Sequence, residues 1–365
     1  MRLSLEARAR PARIMTWASP LIAAVCSVIG VSILFAVLGR APLQALYVLF
    51  VAPLETLDSL AELALKATPL LLCAVGIAIG CRADVWNIGA EGQFTVGAIA
   101  GGGVALACGG NDTWWVLPLM ILAGIAGGMV WAGIAALLKT RFNAHEILTT
   151  LMLTYISIQL LGYLVHGPWK DPNGYSFPQT RQFADDAMLP MLFEGTRLHI
   201  GALFALASVP LGSILLGRTL MGFRIRTVGA APAAARYAGF SRNGIVWFCL
   251  LLSGGMAGLA GICEVAGPDG QLTPIISPGY GFAAIIVAFL GRLNPIGILF
   301  SSALMALLYL GGEGLQVSMQ LPIAVTGTVQ GMLLFFLLAA DVLINYRVRL
   351  RPSRSATAAG AARHA

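Results

Sequence analysis

The chain has 365 residues, 58% of them hydrophobic and only 11% charged, with a mean hydropathy of +0.83. A water-soluble domain keeps roughly a quarter of its residues charged, so a globule of this size with its whole surface in water is excluded, and lipid is the solvent that this composition suits. The net charge of +7 does not make a nucleic-acid partner, because no basic run is interleaved with aromatic residues and basic residues gather in cytoplasmic loops of membrane proteins for orientation alone.

In chain order, residues 1–16 form a basic N-terminus, expected in the cytoplasm. Ser19 to Leu38 is too long for a signal-peptide core and ends without a convincing small-x-small site, so it reads as a retained first span. A spanning helix needs about 20 mostly apolar residues. That criterion predicts an all-α polytopic membrane protein with ten crossings, at 17–38, 57–81, 94–108, 115–138, 147–165, 200–217, 244–266, 281–291, 296–310 and 323–344. The pieces 94–108 and 281–291 are short and glycine-flanked, as broken or re-entrant helices lining a pathway are. A further apolar piece, 42–54, reads as interfacial or partly inserted. The transmembrane domain thus covers 17–345, with a long outer loop at 166–199 and a long inner loop at 218–243, where Ala230–Tyr237 is expected to form a short helix. Residues 346–365 are basic and expected to be disordered. With the N-terminus inside, 18 Lys and Arg fall on the inner side and four on the outer, which places both termini in the cytoplasm.

Three stretches carry polar chemistry. Arg82 to Phe94 sets Asp84, Trp86, Asn87, Glu91 and Gln93 between two apolar spans, with Gly89 and Gly92 for tight turns. A carboxylate at membrane depth is costly, so Glu91 needs a polar cavity, a partner group or the interface; an ordinary loop with helix-capping residues is the plainer reading. Val228 to Asn243 is either a rigid lever that a soluble partner grips or a basic loop that only obeys the orientation rule. Glu264, Asp269, Tyr280, Arg292, Asn294 and Glu313 lie at helix ends in the second half, where each is a candidate solute contact; Glu264 also sits where it could simply reach the interface.

Other chemistries lack their residues. There is no GxxxxGK[ST] phosphate loop, HExxH, GxSxG or CxxC pair, and no His/Cys cluster, so neither a catalytic residue, a metal site nor a cofactor is expected. The six cysteines read as small buried residues, and the four histidines as interfacial ones. An ion-coupled secondary transporter would show relay residues in mid-span, which only Glu62 and Lys66 approach.

The segments Asn87-Ile-Gly-Ala-Glu-Gly-Gln93, Asn143-Ala-His-Glu-Ile147, Ala233–Gly239, Leu252–Glu264, Gly279-Tyr-Gly-Phe282 and Asn294-Pro-Ile-Gly297 resemble, in order over about residues 55–340, permeases of the ABC family that serves ribose, branched-chain amino acids and nucleosides. The likeness is greatest to the larger of two nucleoside permeases that work with a basic-membrane-protein type lipoprotein. The resemblance implies an importer subunit in a bacterial inner membrane without its own ATPase site. It implies as partners an ATP-binding subunit with two nucleotide-binding domains, a second homologous permease, and an extracytoplasmic solute-binding lipoprotein. The cargo would be a nucleoside, or alternatively a simple sugar or other small polar solute. It further implies that Ala233, Ala234, Ala235, Arg236 and Gly239 couple to the ATPase, while Trp86, Asn87, Glu91, Gln93 and Glu264 are the candidates for the substrate pathway, as hydrogen-bonding groups and an aromatic face that suit a neutral solute if these segments line the path. Two departures stand: Ala233 replaces the usual leading Glu of the coupling motif, and the Ile-x-Leu-Pro tail of other importer families is missing.

Overall fold

The computed structural model describes residues 2–7, 13–108, 114–174 and 177–351. Among these the chain forms thirteen α-helices and one two-stranded antiparallel ribbon. The ribbon departs from the all-α expectation: β1 (Arg2–Ala7) pairs with β2 (Tyr346–Arg351), setting Leu3 opposite Leu350 and Leu5 opposite Val348. Both segments alternate apolar and polar residues, the period of a strand, which a search for apolar runs passes over. The expected disordered tail therefore begins as a strand, and its remainder, 352–365, lies outside the described residues.

The chain divides into two compact units, a core unit, Leu49–Gly314, and a second built from the terminal segments up to Val48 and from Leu315. In the second unit α1 (Arg13–Val37) runs beside α13 (Ile323–Asn345), with Gly30 against Met332 and Phe336. The apolar piece 42–54 is helical, α2 (Pro42–Phe50), followed by a 3₁₀ turn at Ala52–Leu54.

The core unit contains α3 (Leu57–Cys81), α4 (Ala90–Cys108), α5 (Val116–Phe142), α6 (Glu146–His166), α7 (Gly201–Arg218), α8 (Leu220–Ala230), α9 (Pro232–Tyr237), α10 (Arg242–Glu264) and α11 (Tyr280–Leu290), with α12 (Pro295–Met319) beginning in it. Each of the ten expected apolar segments is thus helical. Among the described residues six helices, α3, α5, α6, α7, α10 with the π-turn after it, and α12, are long and apolar enough to cross a membrane. The connection 218–243, expected on the inner side, is more ordered than expected. It holds α8, which Thr219 caps by accepting from the Gly222 N–H at 3.0 Å, besides the anticipated short helix α9.

Helices α4, α5 and α10 form the centre of this unit, and they meet through glycine. A side chain at Gly97, Gly258 or Gly261 would fall inside the backbone of a neighbouring helix. With lipid as apolar as leucine, helices gain by packing backbone on backbone, which small residues permit. The connection between α6 and α7 is folded down onto the turn after α10: Thr180 N–H donates to Leu272 O at 3.0 Å, Phe183 N–H to Gly270 O at 2.8 Å and Leu189 N–H to Ala266 O at 2.8 Å. His199, expected at an interface, is instead buried, packed against Gly201 and Gly267, with Nδ1 accepting the Gly201 N–H at 3.1 Å. All six cysteines are free thiols.

Candidate functional site

The polar stretch after α3 surrounds one short helix. Helix α11 has eleven residues, about 16 Å at 1.5 Å per residue, roughly half of a bilayer's hydrocarbon core. A short helix buried among others leaves backbone N–H groups orphaned at its start and carbonyls at its end. Residues 82–93 supply partners for both ends.

At the start of α11, Glu91 Oε2 accepts the Gly281 N–H at 2.6 Å, and the Ser277 hydroxyl and Phe282 N–H also bond to this carboxylate. An anion there complements the positive end of the helix dipole. Gly281 is required for the approach, because a side chain on it would overlap the backbone of Glu91. Gly279 turns the chain into the helix at φ +99°, a conformation that costs glycine nothing.

At the other end, the Arg82 guanidinium donates to Leu293 O at 3.1 and 3.3 Å and to Arg292 O at 3.4 Å. Arg292 and Leu293 both adopt left-handed backbone, φ +55° and +53°, which is costly without glycine. The cation of Arg82 complements the negative helix end and helps to hold that turn. Between the two ends, the Trp86 ring stacks on Phe289 of α11 with centroids 5.3 Å apart, and its Nε1–H donates to Asp84 at 3.3 Å.

Asn87 and Gln93 lock the segment to itself. Asn87 Nδ2 donates to Gln93 Oε1 at 2.7 Å and to Ser253 Oγ of α10 at 2.8 Å, while its Oδ1 accepts from Gly89 N–H at 3.2 Å and Gln93 Nε2 at 3.0 Å. That uses every hydrogen-bonding site an asparagine side chain has. Asn87, Glu91 and Gln93 are 3%, 5% and 1% exposed, so the groups expected to meet a solute are spent inside the protein. The buried stripe Thr150, Thr154, Ser157 of α6 closes over Gly89 and Gly92, each hydroxyl bonded to its own helix.

Helix α8 packs against this clamp, with Gly229 set against the backbone of Arg82. Helix α9 follows and is exposed at Ala233, Ala234, Arg236 and Tyr237, while Ala235 is buried. Its C-terminus closes as a Schellman motif: Phe240 N–H donates to Ala235 O at 2.9 Å and Gly239 N–H to Arg236 O at 3.0 Å, with Gly239 at φ +78°. Phe240 then returns to α8, edge-on to Phe223 at 6.1 Å and beneath Arg224 at 5.6 Å. Sequence reasoning gave no role to Arg82, Ser253, Ser277, Gly281 or Phe289: Arg82 opens the polar stretch, Ser253 and Gly281 lie inside segments that carry the resemblance, and Ser277 and Phe289 have no signal of their own. Glu264 is half-buried at the end of α10.

Membrane-length helices packed through glycine around a half-length helix, with an exposed helical knuckle on the basic connection, define a multi-pass membrane protein of the transport-permease class. The chain belongs to the family described as branched-chain amino acid transport system / permease component, whose model matches residues 59–338. It is similar to the glucose ABC transporter permease protein of Haloferax volcanii, 34% identical with 95% of this chain and 94% of that one covered. It is similar also to the guanosine ABC transporter permease protein of Bacillus subtilis, 30% identical over 78% of this chain and 80% of that one. The nucleoside ABC transporter permease protein of Lactococcus lactis is 27% identical, over 87% and 89%. The protein is therefore a permease component of an ABC transport system, and such a permease works with a separate ATP-binding subunit and a substrate-binding protein.

Proposed function

We propose that the chain is the nucleoside-translocating permease of a bacterial inner-membrane importer, moving solute by alternating access. It would pair with a second, homologous permease, take cargo from an extracytoplasmic lipoprotein, and be driven by two nucleotide-binding domains. Ten crossings with both termini in the cytoplasm fit this reading, because they put α9 on the side where ATP is. The observation that carries it is the continuous mechanical path from an exposed knuckle to a buried broken helix: α9 is tied to α8 through Phe240, α8 rests on Arg82, and Arg82 holds α11. A partner gripping Ala233, Ala234, Arg236 and Gly239 would displace α11 through rigid contacts. Two packings of such a unit exchange only if a ligand binds them unequally, and ATP closing the partner supplies that inequality. In this scheme Asn87, Glu91 and Gln93 position the pathway helices, while Trp86 and Glu264 are nearer to the path itself.

The two relatives named for guanosine and for nucleosides support a nucleoside as cargo. The relative named for glucose, at 34% identity, supports a sugar as the second reading. The test is ATP-dependent uptake of labelled guanosine and glucose by the assembled transporter in proteoliposomes, with Gly239→Val as the coupling variant. A β-branched residue at φ +78° costs about 1–2 kcal/mol and deforms the knuckle, so the variant should co-purify with less ATP-binding subunit and import several-fold more slowly. Solute movement down an ion gradient by the permease alone would refute the reading.

A further inference from the structure

Helix α7 meets the start of α12 at one glycine. A Cβ on Gly212 would lie 3.4 Å from Pro295 Cγ and 3.0 Å from Val75 Cγ1, so α7 stands close to α3 and to the first residue of α12 at that level. Beside this contact lies a groove of about 370 Å³, lined by Val209, Pro210, Ser213, Ile214 and Arg218 of α7 and Ile296 of α12. Pro210, Ile214 and Arg218 follow one another at intervals of four residues and so form one row along the helix. The row runs about 12 Å along the axis and ends on Arg218, the last residue of a membrane-length helix. Pro210, Ile214 and Ile296 are exposed, so the groove is open at its surface.

Two polar groups in it lack partners. The Ser213 hydroxyl is buried and makes no hydrogen bond, whereas Ser208, on the same helix, donates to Ala205 O at 2.6 Å. A buried hydroxyl left dry is a standing cost that a bound acceptor removes. The Arg218 guanidinium is exposed and, among the described residues, has neither an ion pair nor a hydrogen bond. The adjoining segments offer it no carboxylate. No Asp or Glu lies between Glu194 and Glu264 or between Asp269 and Glu313, while Arg224, Arg226 and Arg292 add positive charge there. At the end of α3, Asp84 is engaged by Trp86.

We propose that this groove binds one anionic phospholipid, with its phosphate on Arg218, an ester carbonyl accepting from Ser213, and an acyl chain along Pro210, Ile214 and Ile296. Charge complementarity fixes the occupant. A phospholipid carries in one molecule an anion for the helix end, an acceptor below it and hydrocarbon for the apolar row, in the order in which α7 presents these partners. Ser213 is five residues before Arg218, about 7 Å nearer the middle of the helix, where the ester region lies beneath a headgroup. An arginine that merely reached for the interface would leave the groove and the dry serine unexplained. A second permease packed here would bury an unpaired cation unless it brought a carboxylate of its own. The lipid site serves the permease whatever its cargo.

The test is native mass spectrometry of the assembled transporter in mild detergent, titrated with phosphatidylglycerol or with phosphatidylcholine of the same acyl chains. The parent should bind one phosphatidylglycerol about tenfold more tightly than phosphatidylcholine, through the charge-assisted bond. Arg218→Gln should weaken phosphatidylglycerol about tenfold and leave phosphatidylcholine unchanged. Ser213→Ala should weaken both lipids about threefold, since both carry the ester. Arg141→Gln, exposed at the end of α5, is the control and should alter neither. Equal affinity of the parent for the two lipids overturns the site, as does a loss below about twofold in Arg218→Gln or an equal loss in Arg141→Gln. Displacement of phosphatidylglycerol by inorganic phosphate at equal concentration also overturns it, because the groove would then contribute nothing. In membranes, p-benzoylphenylalanine in place of Ile214 should cross-link to phospholipid on illumination; cross-linking to a second permease instead makes this face a subunit interface and refutes the lipid site. Should Arg218→Gln fail to assemble with the ATP-binding subunit, the cross-link and the Ser213→Ala titration decide.

Discussion

Replacing Glu91 separates a helix clamp from a solute contact. Its carboxylate accepts the Gly281 N–H at 2.6 Å inside a packed interior where Glu91 is 5% exposed. Glu91→Gln keeps the shape and one acceptor oxygen but removes the charge. A hydrogen bond to a charged group is worth about 1.5–3 kcal/mol against about 1 for a neutral one, and the dipole interaction adds up to about 1; the expected loss is about 2 kcal/mol. Glu91→Ala also strands a buried N–H, at a further cost of about 1–3 kcal/mol, giving roughly 4 in all. For a chain of this size that is a fall in Tm on the order of 5–10 °C. The assay is thermal unfolding in detergent with a thiol-reactive fluorophore, which reports well because Cys73, Cys249 and Cys263 are 0–1% exposed until the core opens. Glu194→Ala, exposed on the connection between α6 and α7, is the control. A residue that only lined a pathway would lower uptake and leave Tm alone. A Glu91→Ala protein melting within about 1 °C of the parent would refute the clamp.

Two further outcomes follow from the packing and from one buried imidazole. Gly258→Ala forces a methyl group into the backbone of α5 and should destabilise by about 2–3 kcal/mol, whereas Gly162→Ala, with nothing within 4 Å, should be neutral or stabilise by up to about 1 kcal/mol through helix propensity; the same melting assay compares them. Burial holds the His199 imidazole down at about 4 against an ordinary 6.5, so the folded protein keeps it neutral while the unfolded chain takes up the proton. Stability from this group is complete above pH 6.5 and drains as pH falls towards 4, by about 3 kcal/mol in total. His199→Gln should flatten that part of the Tm-versus-pH profile, and an unchanged slope in tryptophan-monitored melts between pH 4.5 and 7 would show that His199 is not the group responsible.

The sequence revealed the elements that lipid dictates and concealed those that the protein dictates to itself. An apolar run announces a helix because nothing else satisfies a backbone in hydrocarbon, and all ten such runs are helical. Helix α8 escaped notice because Arg224 and Arg226 broke the apolar run, although Gly222, Ile225 and Val228 recur every three residues and form its buried face. In the same way, Asn87, Glu91 and Gln93 drew attention because polar side chains between apolar spans need a reason. Which reason it is could not be read along the chain. Glu91 is satisfied by a backbone N–H 190 positions away and Asn87 by a serine 166 positions away; a glycine N–H has no side chain to betray it, and one serine in α10 resembles any other. A polar group spent on the protein and one kept for a solute satisfy the same energetic demand, that no donor or acceptor be left dry, so they look alike in sequence. Only the partners distinguish them. By that measure the motif from Asn87 to Gln93 is closed, every one of its three polar side chains being engaged inside the protein.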